Sequence, residues 1–162
     1  MITTLKRIQE HPDATEDRID LIRYALKIPD STKVSNRAIN LLNLAKKCDL
    51  NTALWALRTV PVTEGTEKAL RLFSFKCLEI TLSTVLNRNS LSINETLLLE
   101  LCRETLTDPP AIAAYKAGTA AKFWQGKSDA VIFEFAEMCE RAQFFDQTPI
   151  SQRGNTCQSE SA

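Results

Sequence analysis

The sequence contains one histidine, a candidate general base, and five cysteines, which are candidate nucleophiles. His11 directly precedes Pro12, and a residue before proline is disfavoured in the helical region, so a helix is expected to end there. The cysteines are Cys48, Cys77, Cys102, Cys139 and Cys157. A Cys-His or Ser-His nucleophile needs an imidazole beside the attacking group, which here requires His11 to fold onto one of these side chains. Otherwise the sequence predicts that His11 is a turn residue.

The remaining chemistry-bearing residues also have structural explanations. The cysteines are odd in number and form no C-x-x-C pair, which argues against a disulfide framework or a zinc site and favours reduced, buried thiols. Glu64 with Glu67, and Asp17 with Asp20, fall in predicted first helical turns, where the helix dipole favours carboxylates. Phosphate-binding loops, dinucleotide-binding glycines, zinc-protease motifs and serine elbows are all missing from the sequence. We therefore predict a protein that is not an enzyme, with no catalytic residues, metal, cofactor or evident small-molecule substrate.

Charge and composition narrow the class of protein further. The 162 residues include 20 basic and 20 acidic side chains, so the chain has no strong electrostatic attraction for nucleic acid or an anionic membrane. The first residues lack an apolar stretch of signal-peptide length. Together with the reduced cysteines, this predicts an intracellular, cytoplasmic location, with the nucleus as an alternative.

Helix start and stop signals predict about eight helices. Asp13 with Glu16, and Ser92 with Glu95, have the spacing of capping boxes at the starts of the second and sixth helices. The third, fourth, seventh and eighth helices have predicted N-caps at Ser35, Asp49, Asp108 and Ser128. Because no segment alternates apolar and polar residues over a useful length, the sequence predicts no strand.

The fifth predicted helix, about 64–87, contains the stretch "ALRLFSFKCLEITLSTVL", which is apolar on nearly all sides. Lys76 and Glu79 interrupt it, so its uncharged runs are too short to span a membrane. We predict an all-α fold, a compact bundle of about eight helices around this central helix. Residues 1–147 would form one all-helical domain, and the polar residues 148–162 a disordered, flexible tail.

The eighth predicted helix has an outward face that could bind a partner. Its core stripe consists of Val131, Phe135, Met138, Ala142 and Phe145. On the opposite side, Phe133 and Phe144 lie among Glu137 and Glu140. Exposed aromatic residues are typical of binding sites, although a neighbouring helix or the folded-back tail could cover them instead.

Two further features are open to both a binding and a structural interpretation. Trp55 points to the side of its helix, where it could fill a partner's pocket or cap the edge of its own core, the second being favoured. Trp124, beside Phe123, is assigned to the core. The seventh helix has many small residues, which allow another helix to approach closely, whether from this chain, a second copy or a bound peptide.

Basic residues edge the third predicted helix: Lys33, Arg37, Lys46 and Lys47. They could contact an anionic partner, but acidic neighbours are plentiful, and a solvated surface explains them as well.

The sequence thus favours a non-enzymatic intracellular interaction module, an adaptor, regulator or inhibitor that binds another protein through outward aromatic residues and helix grooves. One alternative is a helical regulatory factor associated with nucleic acid or a nucleocapsid. Another is a self-assembling structural protein, with a homo-oligomeric contact between copies.

Overall fold

A computed structural model describes residues 1–29, 36–87, 91–126 and 129–147, without the side chains of 91–95 and 145–147. These ranges contain eight α-helices, two short strands and one 3₁₀ turn. In chain order they are β1 (Ile2–Thr4), α1 (Leu5–Gln9), α2 (Glu16–Leu26), β2 (Ala38–Asn40), α3 (Leu41–Lys47), α4 (Leu50–Ala56), the 3₁₀ turn (Leu57–Thr59), α5 (Glu64–Asn87), α6 (Leu91–Thr107), α7 (Pro110–Gln125) and α8 (Asp129–Gln147). The predicted all-α bundle is confirmed. The predicted tail 148–162 lies outside the described residues, so the boundary at residue 147 stays a prediction.

Helix α5 is the centre of the bundle and packs most extensively against α7 and α8. Its buried face carries Leu70, Phe73 and Cys77 together with the hydroxyl groups of Ser74 and Thr81. Those hydroxyls are satisfied within the helix, since Ser74 Oγ donates to the Leu70 carbonyl at 2.8 Å and Thr81 Oγ1 to the Cys77 carbonyl at 2.9 Å. Polar residues can therefore lie in the core without leaving a hydrogen-bonding group unpaired.

The enclosure of α5 is incomplete on one side. Leu72, Phe75 and Leu86 form the third face of the apolar stretch, and all three side chains are exposed. The bundle thus surrounds the two faces of α5 that meet α7 and α8 and leaves an apolar face on the surface.

The small residues of α7 allow its close approach to α5. Ala113, Ala114, Ala117 and Ala121 are buried, and a Cβ atom added to Gly118 would lie 2.6 Å from Leu54 Cδ2 and 3.2 Å from the Phe73 ring. Of the three partners considered for the small face, the structure places helices of the same chain there.

The prediction of no strands is wrong at one place. Ile2–Thr4 pairs antiparallel with Ala38–Asn40, with Thr3 opposite Ile39. Each strand has only three residues, too few to give a recognisable alternation. Thr3 Oγ1 also donates to the Thr59 carbonyl at 2.9 Å, which ties this β-ribbon to the 3₁₀ turn.

Several predicted caps differ from those observed. Helix α2 is capped by Thr15, whose Oγ1 accepts from the Arg18 N–H at 3.4 Å, because Asp13 is engaged in an ion pair with Arg58. Helix α7 follows Pro109 without a side-chain cap, since Asp108 pairs instead with Lys116 at 2.9 Å.

The other predicted caps have mixed outcomes. Asp49 caps α4 as predicted, accepting from the Thr52 N–H at 2.9 Å. Helix α3 begins after β2 and is capped by Asn40. The remaining predicted cap residues, or their side chains, lie outside the described structure: Ser35, Ser92, Glu95 and Ser128.

We expect Gly118→Val to lower the free energy of unfolding by about 1–3 kcal/mol, because the added methyl groups must displace Leu54 or Phe73 in a packed core. Thr119→Val is the matched control, since it places the same side chain at the next, exposed position of α7. Urea denaturation followed by circular dichroism measures both. Equal stability of the two variants would contradict the close approach.

Candidate functional site

The sequence left open whether the two phenylalanines on the outward face of α8 are exposed or covered, and in the structure both are exposed. Phe133 is 62% and Phe144 67% exposed, and they lie about three helical turns apart, about 16 Å along the axis. Glu140 is exposed, whereas Glu137 is half-buried and pairs with Arg141 at 3.2 Å. Partner binding by these residues stays a prediction. The opposite stripe of α8 is buried at Val131, Phe135, Met138 and Ala142, while Phe145 lies outside the described side chains.

Trp55 is only 3% exposed, so it is not the surface anchor considered from the sequence. The His11 ring meets it edge-on at 5.4 Å between centroids. The guanidinium carbons of Arg18 and Arg58 lie 4.6 Å and 5.3 Å from its centroid. The alternative interpretation, a tryptophan at the edge of its own core, matches this position. Two of the side chains that cover Trp55, those of His11 and Arg18, come from segments distant in sequence, which the helical pattern could not predict.

Arg58 is held in place by three neighbours. Its guanidinium carbon lies 4.6 Å from the Tyr115 ring centroid as well as over Trp55, and its Nη1 donates to Asp13 Oδ2 at 2.7 Å. The side chain is only 16% exposed. Its buried Nε has no hydrogen-bond acceptor among the described residues.

Arg58 lines a concave pocket of about 570 Å³ with residues of α1 and the turn that follows it. This basic pocket contains three permanent cations and one carboxylate: Lys6, Arg7, Arg58 and Glu10. Lys6 and Glu10 form an exposed pair at 3.7 Å. Because Asp13 also pairs with Arg58, the three cations face two carboxylates, and the pocket keeps an excess of one positive charge.

His11 is a turn residue, as predicted, and also lines the basic pocket. Its Nδ1 accepts the Asp13 backbone N–H at 3.2 Å, so the neutral ring carries its proton on Nε2. Partial burial lowers the pKa of His11 below the ordinary 6.5, Arg58 lowers it further, and Asp13 acts in the opposite direction.

The basic residues predicted to edge the third helix lie in different parts of the structure. Arg37 is exposed next to β2, and its carbonyl accepts the Leu5 N–H at 3.2 Å. Lys46 and Lys47 are exposed at the C-terminal end of α3, where cations are favoured by the helix dipole. Lys33 lies outside the described residues. A role for these residues in anion binding remains a prediction.

A second concave surface, missed in the sequence, lies between α6 and α7. This apolar groove has a volume of about 610 Å³ and is lined chiefly by Leu97, Leu98, Leu101, Tyr115, Phe123 and Trp124. Leu97 is 60% and Phe123 77% exposed, and the Phe123 and Trp124 rings meet edge-on at 5.6 Å. Trp124, assigned to the core, is half-buried. The buried face of α7 is made of small residues, and that pattern could have placed Phe123 on the opposite side.

One end of the apolar groove carries a charged cluster. Lys116 Nζ lies 2.6 Å from Glu104 Oε1 and 2.9 Å from Asp108 Oδ2. Hydrogen bonds to Glu104 and Asp108 raise the pKa of Lys116. The lysine is thus neutralised locally, and Glu100 adds a further exposed carboxylate to the lining.

The buried cysteines are poor nucleophiles. Burial raises the pKa of Cys139 to about 11 and that of Cys77 further still. Burial also raises the pKa of Cys48, whose Sγ donates to Asp49 Oδ2 at 3.4 Å. Since the thiolate is the reactive form, burial lowers the reactivity of these three side chains.

No protein-family model, curated protein or solved structure matches this chain. Within the described ranges, no helix combines the length and the apolar character that crossing a membrane requires. The same part of the chain holds no cluster of three or more histidine, cysteine or carboxylate side chains with metal-binding geometry.

We expect Trp55→Ala to lower the free energy of unfolding by about 3–5 kcal/mol, because it empties a buried site. Phe133→Ala and Phe144→Ala should each change it by no more than about 0.5 kcal/mol, since both rings are largely exposed. Thermal and urea unfolding of the three variants measure the contrast. A stable Trp55→Ala protein, or a large loss at either phenylalanine, would contradict the assigned burial.

We expect the C2 proton of His11, the single histidine, to titrate below pH 6.5 in proton NMR. The unfolded chain then binds more protons than the folded chain below that pH. The His11 contribution to stability is therefore present when the ring is neutral and falls as the pH drops through this window. The same resonance in the urea-unfolded chain is the control, and a folded midpoint at or above the unfolded one would contradict the prediction.

Proposed function

We propose that this protein is a non-enzymatic interaction module that binds an amphipathic helix of a partner protein in the apolar groove between α6 and α7. The observation that carries the proposal is the pair of exposed side chains in this groove, Leu97 and Phe123. Exposed apolar side chains gathered in one concave surface are typical of a protein-binding site.

The shape and chemistry of the groove favour a helix as the bound segment. Two antiparallel helices joined by a short turn leave a furrow between them, into which a third helix can place residues at i, i+3, i+4 and i+7. Burying Leu97 and Phe123 would contribute about 1.5–3 kcal/mol each before the cost of association. Half-buried Trp124 and buried Leu101 would supply the floor of the same contact.

The charges around the groove indicate which charged residues should flank the apolar stripe of the partner helix. Glu100, Glu104 and Lys116 are the charged lining residues, two negative and one positive, and Lys116 is already neutralised by Glu104 and Asp108. A helix with lysine or arginine beside its apolar stripe complements this balance, which favours correct orientation and faster association.

The outward face of α8 is a second surface for the same function. Phe133 and Phe144 are spaced for contact with a helix or loop lying along α8, and Glu140 between them would again favour a basic partner. This face is more nearly flat than the groove, so the groove ranks first.

Three double variants distinguish the surfaces: Leu97→Ala with Phe123→Ala in the groove, Phe133→Ala with Phe144→Ala on α8, and Phe75→Ala with Leu99→Ala as a matched control at other exposed positions. Native mass spectrometry of the protein isolated from its own cells gives the mass of the complex. We expect the groove variant alone to lose the partner by tenfold or more, a loss of about 1.4 kcal/mol, with an unchanged melting temperature.

A photo-crosslinking residue at position 123 tests the chemistry of the bound segment. The crosslinked peptide should carry an apolar helical stripe flanked by basic residues. Loss of binding only in the α8 variant would move the site to α8, and a complex of two identical chains would assign the groove to a second copy. Equal loss in the control variant, or a nucleic-acid partner with steep salt dependence, would contradict the proposal.

A further inference from the structure

We propose that the basic pocket beside α1 binds the phosphate group of a small phosphate monoester. This site is independent of the α6–α7 groove and adds a ligand to the proposed function. Lys6, Arg7 and Arg58 converge on the pocket, and among the described residues the carboxylates that face these cations are Glu10 and Asp13. A phosphate group would offset the remaining excess of positive charge.

Arg58 is preorganised for this role. The Trp55 and Tyr115 rings and the Asp13 carboxylate restrain its side chain, so little conformational entropy remains to be lost on binding. Its Nη1 donates to Asp13 Oδ2 at 2.7 Å, and the residue lines the pocket. Charged planar donors held in this way are typical of phosphate recognition.

His11 and Asn36 complete the set of donors. Because Nδ1 of His11 accepts from Asp13, its Nε2–H is the donor that remains on the neutral ring. Asn36 lines the same pocket and offers a neutral amide. Lys6 is held only by the 3.7 Å pair with exposed Glu10, which a phosphate could replace at small cost.

The dimensions favour a small molecule over a nucleic-acid strand. A volume of about 570 Å³ accommodates a phosphate together with the small group that carries it. Nucleic acid needs cations spread along a track, whereas Lys46 and Lys47 lie at the end of α3, and the whole chain has balanced charge.

The single histidine provides the test. The C2 proton of His11 in the full-length protein is followed by NMR during addition of inorganic phosphate or phenyl phosphate, with sodium chloride holding the ionic strength constant. We expect a saturable shift with both probes, tighter for phenyl phosphate, and a higher titration midpoint for His11 with phosphate than with chloride. A shift no larger than that caused by chloride would overturn the proposal.

Single substitutions distinguish binding at this pocket from nonspecific electrostatic attraction to the protein. Arg7→Gln and Lys6→Gln change exposed side chains and should each weaken phenyl phosphate binding about tenfold, the loss of one charge-assisted contact. Arg103→Gln and Lys46→Gln remove equal charges elsewhere and should leave binding unchanged. Equal weakening by all four variants would overturn the site.

A short single-stranded RNA is the final probe. We expect it to shift His11 less strongly than phenyl phosphate at equal phosphate concentration. Tighter RNA binding that falls steeply with added salt would overturn the monoester and assign the cations to nucleic acid.

Discussion

The fold depends on the close contact between α7 and α5 at Gly118. With only a hydrogen atom at this position, Leu54 and Phe73 fill the space between three helices, and α5 can pack along α7 for much of its length. Because the buried face of α7 carries small residues, the bulky side chains of this helix lie on its other faces. Phe123 therefore lies outside, and the constraint that makes the core compact also creates the apolar groove.

The sequence predicts the features that depend on residues close together along the chain, and it does not predict those that depend on contacts between distant residues. The bounds of α5 and the buried stripe of α8 follow from local periodicity, and both agree with the structure. The β-ribbon and the burial of Trp55 depend on partners far along the chain, which no local pattern specifies. Asp13 failed as a cap for the same reason, because Arg58 lies 45 residues away in sequence. The outward phenylalanines of α8 were located, but the apolar groove was missed because Trp124 was assigned to the core and Phe123 was not considered as a surface residue.

The apolar groove and the basic pocket use opposite kinds of chemistry and have different lining residues, but one side chain connects them. Tyr115 lines the groove between α6 and α7, and its ring also packs against the guanidinium of Arg58 in the pocket. The groove is surrounded by paired charges, whereas the pocket has cations in excess. A bundle with no net charge can thus present both an apolar surface and an electropositive one, and the overall composition of the chain reveals neither.

Pairing of the two strands in the β-ribbon has a cost in chain entropy, because it closes a long loop, and packing of the long helices against one another avoids most of this cost. Helices α5 to α8 follow one another closely in sequence, whereas the contact of Thr3 with Ile39 closes a loop of about 35 residues. Helix α1 follows β1 directly, so this loop must close before Lys6 and Arg7 can face Arg58. A ligand that bridges α1 and Arg58 acts as a reversible crosslink across the loop. Its binding energy and the pairing of the two strands are then thermodynamically linked, and occupation of the pocket lowers the population of chains that are frayed at that end.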